Sequence, residues 1–368
     1  MRLEPYDIRR PFERGVVILS FDAEQIWGYL DLLSEVQFRK RYPGAVESHR
    51  RLLEIIAEAG VSATWFLVGA MALSGSDGPA DLRMAGLPMA WRAKIPAGTE
   101  GTKPLLYGRS FVDQLRKIRP CQEIGLHGGL THFIWTNPLA TRENVEWELA
   151  EGIAALQQAG VRPLSFSFGR EQEVYHTLLP AHGIRCYRGR TVSRAFQLGR
   201  TFCGALARLF DELRRATPPP VWPEEMLPGL WNIPSSLFLY PIRPCRTSVV
   251  RLQSRLDRFS LGIAAAARHR GIFHFCLHPE NLVESPHGFS MFEDMLEKLI
   301  LSRDRGDVEV LTMSEVAARM ERGRGSKPLD SGRNTPIGPQ TRVGAGGEEC
   351  HSSHAKSRAT HLVIRKRR

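Results

Sequence analysis

Short, continuously apolar runs recur along this chain, separated by longer amphipathic stretches. The runs include "GVVILSF", "VSATWFLVG", "EIGLH", "RPLSFSF", "IRCYRG", "GLWNIP", "GIFHFCLHP" and "DVEVLTM". A strand with one wet face alternates apolar and polar residues, so strands without alternation must be buried on both faces. The stretches between them carry helical stripes. Leu52, Leu53, Ile56 and Ala59 share one face and stop at Gly60, and Val145, Leu149, Ile153 and Leu156 share another. In "SMFEDMLEKLILSRDRG", Ser290 and Glu293 have capping-box spacing. About seven strand and helix repeats of this kind predict a parallel α/β barrel or a doubly wound sheet.

Composition limits the partners. The chain has 368 residues and a net charge of +11. Residues 322–368 hold 11 Lys/Arg against 3 Asp/Glu, so most of the charge sits in a Gly-, Ser- and Pro-rich tail ending "VIRKRR". The tail has too little apolar surface to offset its ordering entropy, so it is expected to be disordered. Such a tail can meet nucleic acid or an anionic membrane. The simpler reading is a solubilising extension, and no nucleic-acid partner is assigned. No apolar run reaches the roughly 20 residues of a membrane span. The N-terminus "MRLEPYDIRRPFERG" lacks a signal-peptide core, and six cysteines show no CxxC pair. A reducing cytoplasm is the expected location.

The apolar runs end on chemistry. "GVVILSF" stops at Asp22 and Glu24, "EIGL" at His127, "LSFSF" at Gly169 and Arg170, and "GIFHFCL" at His278. In a parallel barrel these ends share one face, where sites on this architecture are built. Each residue alone reads as easily as a cap, a turn former or a surface pair; their shared position is the signal. His132 follows His127 by five residues, across Gly128 and Gly129. Trp27, Trp135 and Trp231 are candidates for stacking on sugar rings, and residues 190–240 are expected to line a groove.

The segments "ILSFDAE", "SATWFLVG", "EIGLHGGLTH", "SFSFGREQEVY" and "FHFCLHPENL", in this order, resemble the polysaccharide deacetylase (NodB-homology) family, in particular its exopolysaccharide-associated branch. The resemblance covers about residues 10–318 and leaves 319–368 as the basic tail. It implies a distorted (β/α) barrel of about seven parallel strands and metal-dependent removal of acetyl groups from N-acetylated carbohydrates. By the same resemblance Asp22 is the general base. Ala23 stands where the family commonly has a metal-binding aspartate, and Glu24 takes that role as in the family's carboxylate-x-carboxylate variants. His127 and His132 are the remaining ligands, with one residue more between them than usual. Arg170 orients the base, and His278 protonates the leaving amine.

The implied chemistry needs these residue types. Two imidazoles and a carboxylate hold a divalent cation such as Zn²⁺, which lowers the pKa of water toward roughly 7. Two other readings stand beside this one. One is hydrolysis of another small-molecule C–N bond, as in a ureide. The other is a metal-free sugar-binding descendant, which Ala23 and the altered spacing favour and the joint presence of Asp22, Arg170 and His278 opposes.

Overall fold

The computed structural model describes residues 12–193, 201–241 and 249–325. Of the tail expected to be disordered from residue 319, the first part to Gly325 is instead the end of a helix, with Met320 buried; the rest lies outside the described residues.

Strand β1 (Gly15–Ala23) is buried along its whole length and divides its side chains between two cores. Val17, Leu19, Phe21 and Ala23 join one apolar cluster, whereas Val16 and Ile18 join a second with Phe66, Cys186, Ile233 and Ile272. This is the two-sided burial that the unbroken apolar runs require. The other strands are β2 (Thr64–Leu67), β3 (Gly75–Ser76), β4 (Gly98–Thr99), β5 (Glu123–His127), β6 (Ser165–Ser167), β7 (Cys186–Gly189), β8 (Glu224–Leu227), β9 (Leu230–Pro234), β10 (Leu237–Leu239), β11 (Ile272–Leu277) and β12 (Val308–Val310).

Ten strands form one curled, parallel-rich sheet in the order β10-β11-β1-β2-β5-β6-β7-β9-β8, with β12 added beside the start of β1. Among the described residues the strands of this sheet pair in parallel except β8 and β9, which are antiparallel. β3 and β4 form a separate two-stranded ribbon. All eight apolar runs are strands of the large sheet. The count exceeds the expected seven because β8 is half polar and β10 is only three residues long, and neither makes a run long enough to read as a strand.

The helices are α1 (Glu35–Arg41), α2 (Ala45–Glu58), α3 (Met89–Arg92), α4 (Arg109–Lys117), α5 (Arg142–Gln158), α6 (Phe202–Leu213), α7 (Val249–His269), α8 (Gly288–Asp304) and α9 (Met313–Gly325). The expected stripe of α5 is buried, as are Leu52, Leu53 and Ile56 of α2, whereas Ala59 caps that helix half-buried. The capping box expected at Ser290 does not form: α8 starts two residues earlier, and Ser290 Oγ donates instead to the His287 carbonyl. Capping boxes occur at Ser34–Gln37 and Thr141–Asn144. Helix α9 packs Met313, Val316, Ala317 and Met320 into the second cluster, against the N-terminal halves of the strands. Thr64 and Glu123 meet the start of this helix, accepting the Met313 and Ser314 N–H groups at 3.0 and 3.1 Å.

Among the described residues, no helix is long and apolar enough to cross a membrane. Cys121 is disulfide-bonded, a link that a reducing compartment would not favour.

Val316→Asp places a carboxylate in the fully buried seam under α9. It is expected to cost at least about 3 kcal/mol in urea denaturation; an unchanged midpoint would contradict this packing.

Candidate active site

Alternation along β1 explains the "FDAE" motif. Ala23 faces the outer cluster, so Asp22 and Glu24, one residue to either side, project to the opposite, inner face. The inner positions of β1 run Val16, Ile18, Ser20, Asp22, apolar at the end covered by α9 and polar at the other. On β11 the same period gives Ile272, His274 and Cys276, followed by His278 just past the strand.

Glu24, His127 and His132 are 2–3% exposed and converge. Glu24 Oε2 lies 2.8 Å from His127 Nε2 and 3.0 Å from His132 Nε2, and the two imidazole nitrogens are 3.2 Å apart. His127 Nδ1 donates to the Ser167 carbonyl at 2.9 Å, which leaves Nε2 as the free lone pair and fixes the ring, the usual arrangement of a metal-binding histidine. A Cβ on Gly28 would come within 2.1 Å of Glu24 Oε1, so the carboxylate needs a glycine beneath it. Two imidazoles and a carboxylate in one buried cluster suit a zinc-type cation with one position left open.

The five-residue histidine spacing is absorbed by backbone. Gly128 has φ +74° and Gly129 φ +148°, conformations that L side chains rarely adopt. A Cβ on Gly129 would also lie 2.6 Å from Glu148 Oε2. Glu148, fully buried on α5, accepts the Thr131 N–H at 2.8 Å and the Thr131 hydroxyl. It therefore holds the loop between the two histidines. Burial pushes its carboxyl up to about 7, against those hydrogen bonds. The sequence signal for Glu148 was only a glutamate on the apolar face of a helix.

Arg170 is not the partner of Asp22. Its Nη2 bonds both oxygens of Asp31, at 2.6 and 2.7 Å, on a partly exposed turn. Arg188 of β7 takes the position instead: Nη2 donates to Asp22 Oδ2 at 2.6 Å and to Ser167 Oγ at 2.9 Å, and Nη1 to Ser20 Oγ at 3.3 Å. Its guanidinium also lies over the Phe66 ring, 5.3 Å from the centroid. A charged residue two places after Cys186 on a buried strand was the available signal. Behind it, His274 Nδ1 donates to the Pro234 carbonyl at 3.1 Å, and Nε2 is 2.9 Å from Ser20 Oγ. Burial, with the Arg188 charge, holds His274 down at about 3, so it is neutral.

Burial alone would raise the Asp22 pKa. Arg188, with His127 and His278, outweighs it and holds the carboxyl well below the usual range. Asp22 Oδ1 is buried without a hydrogen-bond partner. His278 is the most open of the group at 19% side-chain exposure, with Nε2 3.4 Å from Asp22 Oδ2 and Nδ1 3.2 Å from Glu24 Oε1. Burial opposes its charge, but Glu24, Asp22 and Glu280 prevail and raise its pKa well above the ordinary histidine value.

These groups floor a cavity of about 780 Å³. Residues from the 190–240 segment line it, among them Arg190, Ala205, Arg208 and Phe238, as the sequence suggested. Trp27, Trp135 and Trp231 do not: each is 6% exposed or less and packs in the core. The rings at the cavity are Tyr29, Tyr42, Phe168, Phe238 and Tyr240.

No family model matches the sequence, and no curated protein is significantly similar to it. Solved structures are more informative. An assigned polysaccharide deacetylase from Mycobacterium smegmatis superposes with a TM-score of 0.55 at 17% identity, over 92% of this chain and 98% of its own. Another from Pseudomonas aeruginosa PAO1 gives 0.52 at 12%, over 87% and 95%. The chain has the polysaccharide deacetylase fold. An allantoinase shares it, with a TM-score of 0.52 at 11% identity over 87% of this chain and 94% of that one. On the deacetylase fold, Asp22, Glu24, His127 and His278 occupy the C-terminal strand ends, the end used by sites of this architecture.

Two outcomes follow. Arg188→Met strands a buried carboxylate and is expected to cost about 3–5 kcal/mol, whereas Arg170→Met, at a quarter-exposed pair, should cost about 1 kcal/mol or less; equal losses in denaturant titration would reject the assignment of partners. Because the folded-state pKa of Glu148 is raised, its penalty is absent in acid and grows as pH rises toward about 7. Glu148→Gln should therefore gain stability relative to the parent between about pH 5 and about pH 8, by up to about 3 kcal/mol, and a melting series with no such pH trend would contradict this.

Proposed function

We propose that this chain is a metal-dependent hydrolase that removes N-acetyl groups from a carbohydrate. The observation that carries the reading is Asp22 Oδ1, a buried and unpartnered carboxylate oxygen beside a three-donor cluster of Glu24, His127 and His132. A structural ion pair has no need of an unsatisfied oxygen, whose burial is costly; a general base does.

A zinc-type cation held by Glu24, His127 and His132 would acidify water and polarise the acetyl carbonyl. Asp22 takes the water proton on Oδ1 while Arg188 grips Oδ2. Being held ionised by Arg188 makes Asp22 a weak base that is nonetheless always available, so the driving force rests on the acidity of the water. His278, protonated at neutral pH, donates to the leaving nitrogen, since an amine leaves poorly otherwise. The nitrogen must displace Asp22 from His278 Nε2, where the two groups now pair at 3.4 Å. Arg170 acts only at the rim.

A cavity of about 780 Å³ suits one or more sugar rings. Its size argues against a small ureide, although the allantoinase of the same fold keeps C–N hydrolysis of that kind as the second reading.

Purified protein is expected to bind one equivalent of zinc and to release acetate from N-acetylated sugars. Glu24→Ala should lose metal and activity together. Asp22→Asn should keep the metal and lose about 10²- to 10⁴-fold in rate. Metal measured by plasma emission with no acetate released, but ureide turned over, would favour the second reading, and neither metal nor turnover would leave a sugar-binding protein.

A further inference from the structure

Glu280 is fully buried in the short helical turn Pro279–Leu282 that follows β11, and among the described residues neither of its carboxylate oxygens has a hydrogen-bond partner. Glu148, equally buried, accepts two hydrogen bonds from Thr131. A buried carboxylate left bare in this way is costly. Its nearest polar neighbour is in the same condition: His278 Nδ1 is buried without a hydrogen-bond partner, 3.4 Å from Glu280 Oε1 and 3.2 Å from Glu24 Oε1. One donor atom from each of the three residues lies within 4.8 Å of the others. Around a zinc-type cation with bonds of about 2.0–2.2 Å, tetrahedral neighbours stand about 3.3–3.6 Å apart, close to the two separations found here. Glu24 is divided accordingly. Its Oε2 faces His127 and His132, and its Oε1 faces His278, so the carboxylate presents one oxygen to each donor set.

We propose that Glu280, His278 Nδ1 and Glu24 Oε1 form a second divalent-cation site, whose filling inhibits turnover. Mixed nitrogen and oxygen donors suit a zinc-type ion. Water could meet the hydrogen-bonding needs of these atoms but not their charge: Asp22, Glu24 and Glu280 all contact His278, and Arg188 balances one of the three carboxylates. The second site is the weaker one. It has one imidazole where the first has two, and its ion shares Glu24 with a neighbouring dication, which repels it. One equivalent therefore stays with the purified protein and the other enters at higher zinc. The inhibitory role rests on the hydrolase reading, in which His278 protonates the leaving nitrogen through Nε2. Coordination at Nδ1 occupies the lone pair that otherwise carries the second proton of the ring, and that proton goes to solvent. The neutral imidazole that remains is a far weaker acid than imidazolium, so the leaving amine goes unprotonated.

Zinc alone is the probe. The full chain, freed of metal with a chelator, is equilibrated with rising free zinc, and the bound metal is counted by plasma emission. A first equivalent is expected, then a second at about tenfold or more higher zinc, and Glu280→Gln should weaken the second by about tenfold or more while retaining the first. Zinc-soaked crystals of the unmodified chain give a measurement that needs no variant: anomalous scattering should show two peaks about 3.5–4 Å apart, the second beside Glu280. Binding that stops at one equivalent, a folded Glu280→Gln chain that takes up the second as tightly as the parent, or no anomalous peak beside Glu280 overturns the site. Acetate release from N-acetylated sugars should rise with the first equivalent and fall with the second; turnover undiminished with the second site filled overturns the inhibitory role. Acetate absent at every zinc concentration would defeat the hydrolase reading while both metal measurements still decide the site, so each can fail alone.

Discussion

A guanidinium inside a barrel must be paid for by carboxylate and hydroxyl oxygens, and the interior here is arranged around that demand. Arg188 reaches from β7 to Asp22 on β1 and to Ser167 on β6, with Ser20 as a third acceptor. Breaking such a buried pair costs far more than forming it gains, so strands on opposite sides of the curl are locked in register by one side chain. The same bond sets the charge state of Asp22 and the direction in which its other oxygen faces. Ser167 then joins the two halves of the site, its hydroxyl meeting Arg188 and its carbonyl orienting His127.

Around this pair the interior is graded. Along β1 the inner side chains are apolar where α9 closes one end, with Thr64 and Glu123 at the start of that helix, and polar toward the cavity. The gradient uses the two-residue period of the strands: the outer set of β1 stays apolar throughout, and only the inner set changes. That is why a strand that reads as uniformly hydrophobic can still deliver two carboxylates to one place.

The loop between His127 and His132 shows how a changed spacing can preserve a donor set. Two glycines in conformations closed to other residues take up the extra length, and Glu148 ties Thr131 from behind. The rim is assembled differently, from α6, β10 and α7, elements far apart in the chain, and its arginines give the cavity mouth a character that the floor lacks.

The strand runs, the helical stripes and the clustering of Asp22, Glu24, His127 and His278 at strand ends were legible from residue order, because burial on two faces forbids alternation and parallel strands end on one side. The half-polar β8 and the three-residue β10 were not, since one carries no unbroken apolar run and the other is too short to stand out. The choice between Arg170 and Arg188 as the partner of Asp22 was also closed to the sequence: both follow buried strand residues, and what separates them is that β7 points Arg188 inward while the turn after β6 points Arg170 to Asp31. Capping at Ser290 failed for a similar reason, its hydroxyl finding a carbonyl one turn back. Local patterns follow from steric and solvation rules that act along the chain, whereas pairing of charges depends on which strands become neighbours, and only the tertiary fold decides that.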